Sequence, residues 1–441
     1  MMVKRIVLFL IVCFPGWAKA SPPEKKNPEL VSYFTSKAVP LNTSADLNAI
    51  IEESGSRQLV LLGEATHGTR EFYHWRAEIT KRLIAEKNFN FIAVEGDWAT
   101  IYRLNKYVKG LENSMSSALE VLQTFHRWPV WMWSNTDILE LAEWLKQHND
   151  SLPAERKTGF YGMDVYGHWD AMDDLLAYSK ENLAEKHYEI ENLLNCFAGR
   201  RKDEWQYARA VADGKPSCET ELQQVAEILY RHGENLDSAK EKAHFRAMQN
   251  ALVIQNAENF YRLVLQNSTD SWNARVDHMW ITVNQLLGFY GEDSKGIVWA
   301  HNSHVGDSRA TSMRFFEQYN IGQLSRENLG EDNVFIAGFG TFRGKVNAGG
   351  EWGGRMKIMK IPKAQKRSLD YLLNEVPHPQ FFILFNRKDR NHPLLKEPLN
   401  HRAIGVVFNP AEDGSYVPTL PAYRYDALLF IRETTGLTQI R

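Results

Sequence analysis

Short apolar runs alternate with stretches whose apolar residues recur every three or four positions. The runs "RQLVLLGE" (57–64), "FNFIAVEG" (89–96), "TGFYGMDV" (158–165) and "KGIVWAHN" (295–302) read as buried strands. So do "NVFIAGFG" (333–340), "QFFILF" (380–385), "AIGVVF" (403–408) and "ALLFIRE" (427–433). Most are continuous rather than alternating, the pattern of strands covered on both faces. Between them, "REFYHWRAEITKRLIAEK" sets Phe72, Trp75, Ile79 and Leu83 on one helical face, and "NTDILELAEWLKQHN" does the same with Ile138, Leu141 and Leu145. This alternation predicts an α/β fold with a mainly parallel sheet flanked by helices. From about 169 to 290 only amphipathic helical patterns occur, such as "AMDDLLAYSKENLAEKHYEIENLL". That interval predicts a large all-helical insertion within an α/β domain spanning 41–441.

The first forty residues read differently. "MMVKR" is basic, "IVLFLIVCF" is apolar but short for a stable span, and "PGWAKA" ends in a small-x-small cleavage pattern. Residues 1–20 are therefore expected to be a signal peptide, leaving no stable membrane anchor once cleaved, and the protein to be exported, periplasmic or secreted. "SPPEKKNPEL" within 21–40 is polar and Pro-rich and reads as a tail. Cleavage would remove Lys4, Arg5 and Lys19, leaving 49 basic residues against 54 acidic, a net charge of −5. With no basic block to follow phosphates, nucleic acid is excluded as the expected partner. Cys13 would leave with the signal. Cys196 and Cys218 remain, an even pair that in an exported protein favours a disulfide over free thiols.

Ligands of open parallel sheets bind beyond the carboxyl ends of the strands. Several of the predicted strands end in reactive side chains: Glu64 and His67 in "GEATHGT", Glu95 and Asp97 in "AVEGDW", Asp164 in "YGMDVYG", and His301 and His304 in "AHNSHVGD". Each has a structural alternative. Glu64 would suit a first-turn anion, Asp97 and Asp164 would suit helix caps, and each histidine taken singly could be a satisfied core residue. Together, at one predicted sheet edge, they point to an active site. Arg76 falls beside Trp75 on a mostly apolar helix face, where a guanidinium needs a carboxylate. Trp128, Trp131 and Trp133 in "RWPVWMWSN" would wall an apolar substrate or pack in the core. Serine-nucleophile chemistry is disfavoured: "GDSRA" (306–310) lacks the last glycine of a nucleophile elbow. There is no Walker A, H-E-x-x-H or C-x-x-C, and "GFGTFRG" has the wrong glycine spacing for a dinucleotide.

The segments "GEATHGTREFYHWR", "FIAVEGDW", "FHRWPVWMWSN", "YGMDVYG" and "WAHNSHVGD", in that order, resemble the erythromycin esterase family from about residue 40 to 435. "RVDHMWITVN" keeps Arg275 and Met279 of a further family segment but not the Ala and Asn that follow. The resemblance implies hydrolysis of a small-molecule ester, a macrolide lactone in the family, by histidine-activated water and without a cofactor. It implies His67 as general base with Glu64 beside it, and Glu95, Arg76, His301 and His304 as supporting catalytic residues. Asp97, Trp98, Trp128, Trp131, Trp133 and Asp164 are candidates for substrate contact. Two other functions fit the same residues. One is a hydrolase whose divalent metal is held by Glu64, His67, Glu95 and His301, an acceptable first-row donor set. The other is an exported binding protein without catalysis.

Overall fold

The computed structural model describes residues 27–199, 203–234, 236, 238–412 and 415–440. The expected signal peptide, 1–20, lies outside them. The fold class is α/β, a mixed and mostly parallel sheet flanked by helices. In chain order the strands are β1 (Val39–Pro40), β2 (Leu59–Leu62), β3 (Phe91–Asp97), β4 (Gly159–Asp164), β5 (Gly296–Trp299) and β6 (Val334–Gly349). There follow β7 (Met356–Ile361), β8 (Gln380–Leu384), β9 (Leu399–Arg402), β10 (Tyr416–Thr419) and β11 (Ala427–Thr434). Chain contacts divide the protein into two compact units. One holds the chain up to Ile92, Met115–Thr158 and Asp293 onward; the other holds Ala93–Ser114 and Gly159–Glu292.

In the first unit the strands lie in the order β1-β8-β11-β6-β2-β5, with β7 on β6. β2 runs parallel to both β5 and β6, and β6 parallel to β11. The β2 and β5 residues are all buried, which accounts for their continuous apolar sequences. Their register pairs Leu62 with Trp299. Glu64 and His301 each stand two residues past that pair, so strand pairing alone brings them level. The helix Arg70–Lys87 follows β2 and buries Phe72, Trp75, Ile79 and Leu83, the face its periodicity predicts. It ends at Asn88 in the left-handed conformation.

Two sequence readings change. "AIGVVF" is not a sheet strand. Ile404 N donates to Ala65 O at 2.8 Å and Gly349 N to Val406 O at 2.8 Å, so the segment ties the loop after β2 to the end of β6. Its apolar character serves a small core of Val346, Ala348, Ile361, Ile404 and Phe408. Within the stretch read as a tail, Asn27–Lys37 is a helix that buries Leu30 and Phe34. A Pro-rich start masked its two buried apolar residues, four apart and so one helical turn.

In the second unit β3, from Ala93, lies beside β4. Between Asp164 and Gly296 the described residues form helices and turns without a strand. Cys196 and Cys218 are joined, their Cα atoms 5.6 Å apart.

Burial pushes His278, in the second unit, and His401, in the first, from 6.5 down to about 4. A depressed folded value means that the unfolded chain takes up the proton first as pH falls below 6.5. Stability is therefore full above that pH and is lost on acidification toward about 4. Each histidine should cost about 2 kcal/mol between about pH 7 and about pH 5. Urea titrations at the two pH values check this, and His278→Asn should remove roughly half of the difference.

Candidate active site

The loop after β2 opens and closes with glycines for steric reasons. A Cβ on Gly63 would sit 2.1 Å from Asn302 Oδ1, and one on Gly68 would sit 2.1 Å from the backbone oxygen of Asn347. Asn302 is held in turn: its N donates to Glu64 O at 2.8 Å, its Nδ2 to Phe339 O at 2.7 Å, and Arg424 Nη2 donates to its carbonyl at 2.8 Å. The two glycines thus let the loop close on the ends of β5 and β6, and the residues between them are fixed by backbone contacts.

Two of them, Glu64 and His67, form a hydrogen-bonded trio with Arg76 of the helix Arg70–Lys87. Glu64 is 1% exposed, His67 7% and Arg76 0%. Arg76 Nη2 donates to Glu64 Oε2 at 2.7 Å, and His67 Nδ1 lies 2.9 Å from Glu64 Oε1. The Arg76 guanidinium is centred 4.3 Å from the Tyr73 ring and 4.6 Å from the Trp299 ring. Buried between aromatic rings, Arg76 serves Glu64 through a charge-assisted hydrogen bond. With Glu64 Oε1 as the acceptor of this bond, His67 carries its proton on Nδ1 and presents a lone pair at Nε2.

His301 stands 4.9 Å from His67, ring centre to ring centre. Its Nδ1 accepts from the backbone N–H of Ser303 at 3.2 Å, capping the short helix Asn302–Val305, and meets Ser303 Oγ at 2.8 Å. A backbone N–H can only donate. Neutral His301 therefore carries its proton on Nε2, the tautomer opposite to that of His67. One ring offers a lone pair and the other an N–H. His304 is buried on the same short helix. The backbone geometry of the loops explains why "HNSH" occurs here: His301 is both the last residue before the helix and its cap.

The second unit has its own buried cluster. Arg275, on the helix Ser268–Tyr290, grips Asp164 through two bonds, Nε to Oδ1 at 2.8 Å and Nη2 to Oδ2 at 2.7 Å. The same Nη2 donates to Glu95 Oε1 at 2.9 Å. Burial opposes the guanidinium's charge, but Asp164 and Glu95 hold its pKa above the ordinary arginine value. Asp97 occupies the N-cap position of the helix Trp98–Lys109 without a side-chain capping bond. Trp98 is 1% exposed and stacks on Tyr161 at 5.4 Å.

Trp131 and Trp133 are buried at 2% and 8% exposure, the core alternative for those two rings. Trp128 is half-buried, meets Trp352 of the Gly-rich loop at 4.7 Å, and donates from Nε1 to Gly354 O at 2.9 Å. Of the residues named for a metal, Glu64 has one oxygen bonded to Arg76 and the other to His67. Among the described residues no group of three or more His, Cys, Asp or Glu is arranged to hold a metal ion. Sequence reasoning did not assign roles to Arg275, Asn302, Arg424 or Trp352. Arg275 carried a signal, since it interrupts the buried face of Trp272, Val276, Met279 and Val283.

A family model described as erythromycin esterase matches residues 84–434, most of the chain. The chain belongs to the erythromycin esterase family. Membership points to an ester hydrolase acting on a small molecule. The matched span begins after Glu64, His67 and Arg76, so these rest on the geometry above. Solved structures share the fold. A succinoglycan biosynthesis protein is 21% identical, with a TM-score of 0.76, covering 95% of this chain and 100% of that one. A protein from Bacillus cereus is also 21% identical, with a TM-score of 0.77 and the same coverage. A histidine-to-asparagine mutant of the erythromycin esterase EreC, in its open conformation, is 16% identical, with a TM-score of 0.64, covering 91% of this chain and 97% of that one.

Proposed function

We propose that this erythromycin esterase family member hydrolyses a carboxylic ester, a macrolide lactone or a close relative of one, by attack of water activated at His67. The observation that carries the proposal is the Arg76–Glu64–His67 relay facing a second histidine of opposite tautomer. His67 Nε2 takes the proton as water attacks the ester carbon. Glu64 stabilises the imidazolium so formed, and Arg76 holds Glu64 in place. The Nε2–H of His301 donates to the oxyanion that develops on the carbonyl oxygen. The proton held by His67 then goes to the departing alkoxide, which leaves an acid, an alcohol and the resting enzyme. Glu95 is assigned to Arg275 and Asp164, a support of the second unit. No step requires a metal ion.

Incubation with erythromycin, followed by mass spectrometry, should show a product heavier by one water, at the same rate after exhaustive dialysis against chelator. Loss of activity on dialysis with recovery on adding zinc or manganese would overturn the metal-free mechanism.

We also propose that the protein acts outside the cytoplasm, as a chain beginning at Ser21. The basic start, the apolar run and the Ala18-Lys19-Ala20 pattern support this, as does a disulfide, a bond of oxidising compartments. N-terminal sequencing of protein recovered from its own host should read Ser21 first; a product retaining Met1 would contradict export with cleavage.

A further inference from the structure

β6 and β7 pair antiparallel through a Gly-rich connection, and their register sets Lys345 directly opposite Lys360. Like charges at opposed positions destabilise a pair of strands. Arg343 stands two residues from Lys345, shares its face, and is paired with Glu433 at 2.8 Å. Arg343, Lys360 and Lys363 line a cavity of about 380 Å³ with Ile361, Pro362 and Pro410.

Lys345, Arg355, Lys357, Lys360, Lys363 and Lys366 are all exposed, and none of their side chains makes a hydrogen bond or ion pair with another described residue. Several surface cations elsewhere have partners: Lys81, Arg82, Lys87 and Lys146 lie within 3.0 Å of a carboxylate. Between Arg343 and Arg367 the one acid is Glu351. Amid these charges Ile358 is 62% exposed. The other face of the hairpin is committed to the core through Val346, Ala348 and Ile361. A chain of net negative charge has therefore collected unpaired cations, at a cost in strand pairing, around one exposed apolar side chain.

We propose that this hairpin docks the protein peripherally on an anionic phospholipid surface. The charge complements lipid phosphates, the long lysine stems and Ile358 suit the boundary between headgroups and acyl chains, and the cavity beside Lys360 has room for a headgroup phosphate. Membrane contact of this kind needs no spanning segment, and among the described residues no helix is long and apolar enough to cross a membrane. The inference is independent of the reading of the active site.

The test is sedimentation of the purified protein with vesicles of phosphatidylcholine alone or with added phosphatidylglycerol. The protein should follow the anionic vesicles at low salt, stay in solution with the neutral ones, and be released as salt is raised. Replacing Lys345, Lys360 and Lys363 together by Gln should weaken binding about a hundredfold, near fivefold for each lysine, with ester hydrolysis unchanged. Ile358→Ser should weaken binding while leaving its salt dependence as it was. Equal binding to both vesicles, or a triple variant that binds like the wild type, would overturn the proposal. So would tighter retention on a DNA oligonucleotide than on anionic vesicles at the same salt.

Discussion

Replacing His67 by Ala should lower kcat by at least about 10²-fold and leave the fold in place. A general base contributes about 10²- to 10⁴-fold, and no other group on this loop offers a lone pair in the same position. The substitution deletes one hydrogen bond to Glu64, worth about 1–3 kcal/mol, and leaves the Glu64–Arg76 pair intact. The denaturation midpoint should therefore move modestly while hydrolysis collapses. Steady-state kinetics beside a urea titration measures both, and a variant keeping more than about a tenth of wild-type kcat would remove His67 from the role of base.

Glu64→Gln should damage both activity and stability. The amide has the same shape, but it leaves the guanidinium of Arg76, fully buried, without its counter-charge. Breaking one side of a buried ion pair costs about 3–5 kcal/mol. The amide also offers a donor where His67 Nδ1–H needs an acceptor, so the histidine loses its fixed tautomer and its imidazolium loses its stabiliser. A fall in kcat of about 10²-fold or more is expected. Arg76→Met should destabilise by a similar amount, now leaving a buried carboxylate, with Met filling the slot between Tyr73 and Trp299. The double variant, Glu64→Gln with Arg76→Met, should be more stable than either single one, because no uncompensated charge is left. Additive losses would show that the two side chains do not act as a pair.

The sheet was legible where strands are buried on both faces. β2, β3, β4, β5, β8 and β11 each contain a short apolar run, and the helix Arg70–Lys87 an apolar stripe. β7 was not legible, since "MKIMKI" has one face in water and its apolar residues are shared between both. The charge at the same place was missed for a related reason. Its lysines and arginines alternate with apolar residues along two strands, so no run of sequence is basic, and only strand pairing gathers them.

Within the site, Glu64, His67 and His301 were legible as polar residues at the ends of apolar runs. What their types did not reveal was allegiance. Register decides that Glu64 and His301 stand level, and the backbone N–H of Ser303 decides which nitrogen of His301 carries the proton. Glu95, read as catalytic, and Asp164, read as a substrate contact, are both bonded to Arg275, which lies 111 residues from Asp164 along the chain. A contact so distant leaves its trace only as a charge on an otherwise apolar helix face.

The central claim, direct attack of water on the ester, is tested by a single turnover in ¹⁸O-enriched water, with chelator-dialysed protein in excess over a macrolide lactone. The account predicts one ¹⁸O in the acid formed in that first turnover, a protein of unchanged mass, and no acyl adduct at any quench time. An unlabelled first product with ¹⁸O found in the protein, or an acyl-protein trapped by acid, would contradict it.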